Sequence, residues 1–316
     1  MSRAASVLVL GFGVAACGQF EGLRANKHFK DGNQLYAQQD YRKAAAEYEE
    51  AIKADPACCG DVPYSAHFYL ANSYDNLYKP ARKGEEVNDS YLQDALKNYQ
   101  IAAEKITDPK LRKLSLQYLA AIYASDKLNE PEKAEPVVKQ IIAMDPNDSA
   151  NYFGLAKIYE DAGKFEEAEA VLKQAQEASP NSVEVWSQLG NFYNRRGDFD
   201  KAMEAFTQIT RLEPENPQNY YQLAVYYEEK VRKDYTIKPA QKVDYLKRGM
   251  EAIDKALEIR PDYFEALTYK NLLLRQQALV EKNPARQKQL IEEADRLRDK
   301  AIEVQNLKSK GVVASD

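Results

Sequence analysis

Apolar residues recur along this chain in paired helical stripes. Tyr152, Leu155, Ala156 and Tyr159 fall at i, i+3, i+4 and i+7, the spacing that places four side chains on one face of a helix. Gly163 then permits a turn, Ala168 and Leu172 lie four apart on a second helix, and Pro180 ends it. About 34 residues further on, Trp186, Leu189, Gly190, Tyr193, Gly197, Phe199, Ala202, Phe206 and Pro214 repeat the series without a gap. Small residues at 156, 168, 190 and 202 predict close approach of the two helices in each pair.

This register resembles the tetratricopeptide repeat, whose W-x2-L-G-x2-Y, A-x3-F and P positions recur every ~34 residues. With drift it extends to residues 25–58, 64–107, 113–148, 149–182, 183–216, 217–263 and 264–304. The last segment is expected to be a cap, since Lys270 and Asn271 replace its small apolar pair and a terminal repeat must meet water. The resemblance implies an all-α fold, a right-handed α-solenoid of about seven helical hairpins that binds proteins without catalysing a reaction. Insertions at 76–89 and 228–242, each containing a Lys-Pro-Ala, lengthen two links and either modify a binding face or simply extend the helices. Residues 305–316 show no helical period and are expected to be disordered.

The N-terminus carries a different signal. Arg3 precedes an apolar run over residues 4–16, too short for the ~20 residues that span a bilayer. Val14, Ala15 and Ala16 lead into Cys17, and this resembles the lipobox of bacterial lipoproteins. The resemblance implies a signal peptide over 1–17, acylation of Cys17, a linker at 18–24, and attachment to the outer membrane facing the periplasm, since Gly18 is not the Asp of the inner-membrane retention signal. Such a protein would serve envelope assembly or secretion. The alternative is a cytosolic adaptor or co-chaperone-like module.

Charge excludes more than it suggests. Lys plus Arg total 44 against 49 Asp plus Glu, a net charge of -5 that gives no general attraction for nucleic acid. His28 and His67 are the only two histidines, and both fall at the repeat position held by Tyr152 and Trp186, which marks them as packing residues. Phosphate-binding, metalloprotease and nucleophile-elbow patterns are all missing from the sequence. No cofactor, metal or small-molecule substrate is expected. The adjacent Cys58 and Cys59 allow a vicinal disulfide, an intermolecular bridge or a soft-metal site. Ring strain and the lack of further ligands favour loop residues without a role.

The family resemblance also implies a binding site, a concave groove lined by the first helix of each pair. Its exposed positions correspond to Phe29, Asn33, Tyr36, Phe68, Asn72, Asp75, Phe153, Lys157, Glu160, Ser187, Asn191, Asn194, Tyr221 and Glu228, with Arg195 beside them. Asparagines could pair with a peptide main chain while the aromatic rings anchor its side chains. Packing of the Phe rings between neighbouring helices is the competing expectation. The chaperone-type carboxylate clamp is in doubt, because Phe29, Phe68 and Ser187 stand where it needs Lys.

Overall fold

The structure is a computed structural model that describes residues 12–123 and 127–309, with side chains from residue 20 onward. Fourteen α-helices and no strand occur among the described residues. They pair as α1 (Phe12–Ala37) with α2 (Tyr41–Ala54), α3 (Ser65–Leu77) with α4 (Glu86–Lys105), α5 (Pro109–Tyr123) with α6 (Pro131–Met144), and α7 (Ser149–Asp161) with α8 (Phe165–Ala178). The series continues with α9 (Val183–Arg195) and α10 (Phe199–Leu212), α11 (Pro217–Lys233) and α12 (Pro239–Ile259), and α13 (Phe264–Val280) and α14 (Pro284–Ser309). Two compact units divide the chain, Met1–Ala178 with the first four hairpins and Ser179–Asp316 with the last three.

Most of the hairpin turns solve the same steric problem. In five of the seven hairpins one residue between the helices takes a left-handed conformation: Gln39 (φ 62°), Gly84 (φ 97°), Asn129 (φ 56°), Gly163 (φ 71°) and Gly197 (φ 76°). Glycine enters this region without a Cβ penalty, which accounts for Gly163 and Gly197. Around Gly163, the Lys164 amide donates to Tyr159 O at 2.8 Å and the Gly163 amide to Glu160 O at 3.0 Å, the paired bonds that satisfy the last carbonyls of a helix. Asp198 and Gly197 repeat the pair on Tyr193 and Asn194. The second helices α2 and α10 then start on a side-chain cap, Asp40 accepting from the Lys43 amide and Asp198 from the Lys201 amide, each at 3.3 Å.

Three of the prolines that end hairpins also receive a contact. Tyr152 OH donates to Pro146 O at 3.0 Å, and Trp186 Nε1 donates to Pro180 O at 2.8 Å. His67 occupies the same repeat position and hydrogen-bonds the Pro56 carbonyl. In α3, α7 and α9 this position therefore takes a flat ring with a polar tip, which latches the helix onto the turn before it, whereas Leu116 and Leu267 hold the same place in α5 and α13. Burial, the dominant cause, lowers the His67 pKa, against the opposing effect of its bonds to Asn98 and Pro56. His28 departs from the packing expectation. It is half-buried, and its Nδ1 meets Glu47 Oε2 at 2.7 Å.

Two boundaries differ from the sequence expectation. The proposed linker at 18–24 is helical, because α1 runs unbroken from Phe12 to Ala37. In the proposed disordered tail, residues 305–309 continue α14, where Val304 and Ala301 bury against Leu267. The rest of the tail, residues 310–316, lies outside the described residues, as do Arg3, the start of the apolar run and the side chain of Cys17. The second insertion consists largely of lengthened helices, α11 running on to Lys233 and α12 starting at Pro239, whereas the first is a link over residues 78–85 that contains a short 3-10 turn, Pro80–Arg82. In the first, buried Asn88 ties the link together, its Oδ1 accepting from the Lys79 amide at 2.8 Å and its Nδ2 donating to Lys79 O and Arg82 O at 3.1 Å.

Cys58 and Cys59 are not idle loop residues. They form a vicinal disulfide, buried with Phe29, Tyr48 and Ala66 in the core of the first hairpins. Their loop is held from both sides, by Ser65 Oγ donating to Cys59 O at 2.7 Å and by the Gly60 amide donating to Asn26 Oδ1 at 3.2 Å.

Candidate functional site

In the first unit the first helices are joined by rings and amides. Tyr69 of α3 lies 5.7 Å from Phe29 and 5.9 Å from Tyr48, centroid to centroid. Tyr118 of α5 stacks on Tyr99 at 5.4 Å and meets Phe68 at 5.9 Å. Phe29 (7% exposed) and Phe68 (5%) are thereby removed from the surface, a correction to their place in the groove. The next hairpin's tyrosine covers each one.

The asparagines of this unit serve the fold. Asn72 is 5% exposed. Its Oδ1 accepts from Tyr36 OH and from Asn76 Nδ2 at 3.0 Å, and its Nδ2 donates to Tyr99 OH at 3.1 Å. Asn33 Oδ1 accepts from Tyr48 OH at 2.8 Å. Asp75 is neutralised by an ion pair with Lys127, whose side chain is 18% exposed against 11% for Asp75. Of the predicted contacts, Tyr36 and Asn72 are brought together, but as cross-links between α1 and α3 rather than as free peptide ligands. Burial raises the Tyr36 pKa, with Tyr41, Tyr118 and Tyr69 adding to the effect, so its hydroxyl stays a donor. Further along, Phe153 and Glu160 are half-buried, and exposed Lys157 pairs with Asp161.

The second unit keeps more of its first-helix surface open. Asn191, Asn194 and Arg195 are exposed on α9 and Ser187 is half-buried. The opposite side of this helix buries Val185, Leu189 and Phe192. Gly190 permits the tight crossing of α9 and α10, since a Cβ there would run into the Phe206 ring. Tyr221 is half-buried between Tyr263 at 5.2 Å and Tyr269 at 5.5 Å. Glu228 corrects the groove reading most sharply: it is 0% exposed, and its carboxylate accepts from Arg232 Nε at 3.1 Å one turn on. A buried carboxylate persists where a cation pairs with it.

Sequence reasoning missed Tyr69 and Tyr118, the rings that close the seams. The signal was present, as both stand directly before a Leu-Ala pair of the repeat register.

Comparison with known proteins agrees with this architecture. Residues 29–77, 127–192 and 183–226 each match the tetratricopeptide repeat. A repeat-containing protein from Cytophaga hutchinsonii, solved as its C-terminal part, is 15% identical over 87% of this chain and 98% of its own, with a TM-score of 0.52. A tetratricopeptide repeat protein from Parabacteroides merdae is 16% identical over 86% of this chain and 99% of its own, with a TM-score of 0.46. YrrB, described as a repeat protein with an unusual peptide-binding site, is 16% identical over 82% of this chain and 96% of its own, with a TM-score of 0.40. No curated protein matches the sequence.

Proposed function

We propose that this chain of tetratricopeptide-type hairpins is a non-catalytic scaffold that binds a segment of a partner protein through the open face of α9. The observation that carries the reading is the exposed pair Asn191 and Asn194, set about one turn apart on a helix whose other side is locked into the core. Each amide offers a donor and an acceptor, so the pair can bond the main chain of an extended or helical peptide. Peptides selected from a random display library against the full chain should bind the Asn191→Ala/Asn194→Ala double variant about tenfold more weakly, at ~0.5–1.5 kcal/mol per lost hydrogen bond. Equal affinity in a variant of unchanged helicity would sink the proposal.

The second part of the reading is location: a lipid anchor at Cys17 that holds the scaffold at the outer membrane, facing the periplasm, in envelope assembly or secretion. It is supported by the apolar run and by the small residues Ala15 and Ala16 before Cys17. Cells grown with labelled palmitate should label the wild-type chain and not Cys17→Ser. An unlabelled wild-type chain would favour the cytosolic adaptor instead.

A further inference from the structure

One seam of the first unit is built unlike the two before it. The first helices α3, α5 and α7 carry, in the same register, Tyr69 before Leu70 and Ala71, Tyr118 before Leu119 and Ala120, and Gly154 before Leu155 and Ala156. The rings of Tyr69 and Tyr118 reach back into the preceding hairpin and pack on Tyr48 and Tyr99 of its second helix. At the third seam both members of that stack are gone. Val138 stands four residues after Ala134, where Tyr48 follows Ala44 and Tyr99 follows Ala95, and Gly154 replaces the incoming tyrosine.

What remains is an apolar cavity of about 330 Å³, lined by Ala120 and Tyr123 of α5, Ala134 and Val138 of α6, and Gly154 and Ile158 of α7. The fold does not require this glycine. Gly154 has no left-handed φ, and a Cβ built on it meets nothing within 4 Å. A glycine inside a helix is less favourable than an alanine, so here it weakens α7 while leaving the space open.

We propose that this cavity is a docking pocket for one aromatic side chain, phenylalanine or tyrosine, of a partner polypeptide. The two preceding seams define the chemistry of the occupant, since each is filled by a tyrosine ring entering from the same register. A dry apolar cavity of ~150 Å³ suffices to bind benzene, so the present one accommodates a phenyl or phenol ring. Lys157 and Asp161 also line the pocket, and their exposed ion pair gives it a polar edge to meet the main chain on either side of the ring. Buried aromatic anchors of this kind dominate the affinity of peptide interfaces. The proposal rests on the protein-binding reading above and adds to it the side-chain chemistry of the partner, at a site separate from Asn191 and Asn194.

The test uses the full chain, isotope-labelled for residue-resolved NMR and titrated with p-cresol, with the peptide Gly-Ser-Tyr-Ser-Gly, and with its Ala counterpart. Amide shifts at Gly154, Ala120 and Ile158 are expected with p-cresol and the Tyr peptide and not with the Ala peptide. They should vanish in Gly154→Tyr, whose own ring fills the space, and in Ala120→Leu, which serves if the first variant fails to fold. Absent shifts, shifts that persist in a filled variant, or an equal response to the Ala peptide would overturn the proposal. So would shifts that grow with protein concentration alone, which would identify a second copy as the occupant, or a response to p-cresol without the Tyr peptide, which would mark a small-molecule site. Failure of the Asn191/Asn194 test leaves these shifts untouched, so the two readings fail separately.

Discussion

Truncating Tyr99 to alanine should cost about 3–5 kcal/mol, the range for a large ring lost from a closed core. The side chain is 0% exposed, stacks on Tyr118, meets Phe68 at 6.0 Å, and accepts a hydrogen bond from Asn72. Removal therefore opens the seam between the second and third hairpins and leaves a buried amide without its acceptor. Tyr99→Phe isolates the second effect and should cost about 1–3 kcal/mol, the penalty of one unsatisfied buried group. Urea denaturation measures both, and hydrogen exchange should place the loss in α3, α4 and α5, because repeats of this kind couple chiefly to their neighbours. A Tyr99→Ala loss below 1 kcal/mol would show that this seam does not hold the unit together.

Strong base should unfold the protein through its tyrosines. Burial is the leading cause that pushes Tyr48, Tyr74 and Tyr99 above the ordinary value near 10, with a Glu49 hydrogen bond adding to the shift at Tyr74. Tyr245 is pushed up to about 12, by burial first and then by its bond to Asp200. In each case the folded state holds the proton more tightly than the unfolded chain does. The resulting stability is complete below pH ~10, where both states are protonated, and falls as pH rises from there through the folded values. Phenolate absorbance should show only part of the 22 tyrosines ionising near pH 10, with the rest appearing together with loss of helical circular dichroism. A single titration of all of them near pH 10 with helicity intact would contradict the buried placement.

The hairpins were legible in the sequence because helical period, turn glycine and terminal proline are local signals that agree with one another. Depth was less legible. Phe29 and Phe68 sit on first-helix faces, as their spacing indicates, but what covers each is a tyrosine of the next hairpin, Tyr69 and Tyr118, and stripe arithmetic within one helix carries no information about it. Asn72 and Glu228 read as surface residues by type, and each is buried by a partner that satisfies it: two tyrosine hydroxyls and a neighbouring amide for the first, the guanidinium of Arg232 for the second. Polar type thus predicted the need for a partner without indicating whether water or protein supplies it. At 18–24 and 305–309 the pattern fails because α1 and α14 outrun the repeat, and a repeat register is silent beyond its own ends. Cys58 and Cys59 looked like loop residues because no periodic face passes through them, while their burial comes from Phe29 and Tyr48 outside the loop.

The latch from a ring tip to the prolyl carbonyl behind it has a thermodynamic corollary. Where structure is handed from one hairpin to the next through such contacts, cooperativity becomes a property of the links, as in a one-dimensional chain of coupled spins. Tyr152 latches α7 to Pro146, yet the stack beside that latch lacks its rings at Val138 and Gly154. Within the first unit, that link is therefore expected to transmit the least free energy, and a domain wall between folded and unfolded hairpins would come to rest there.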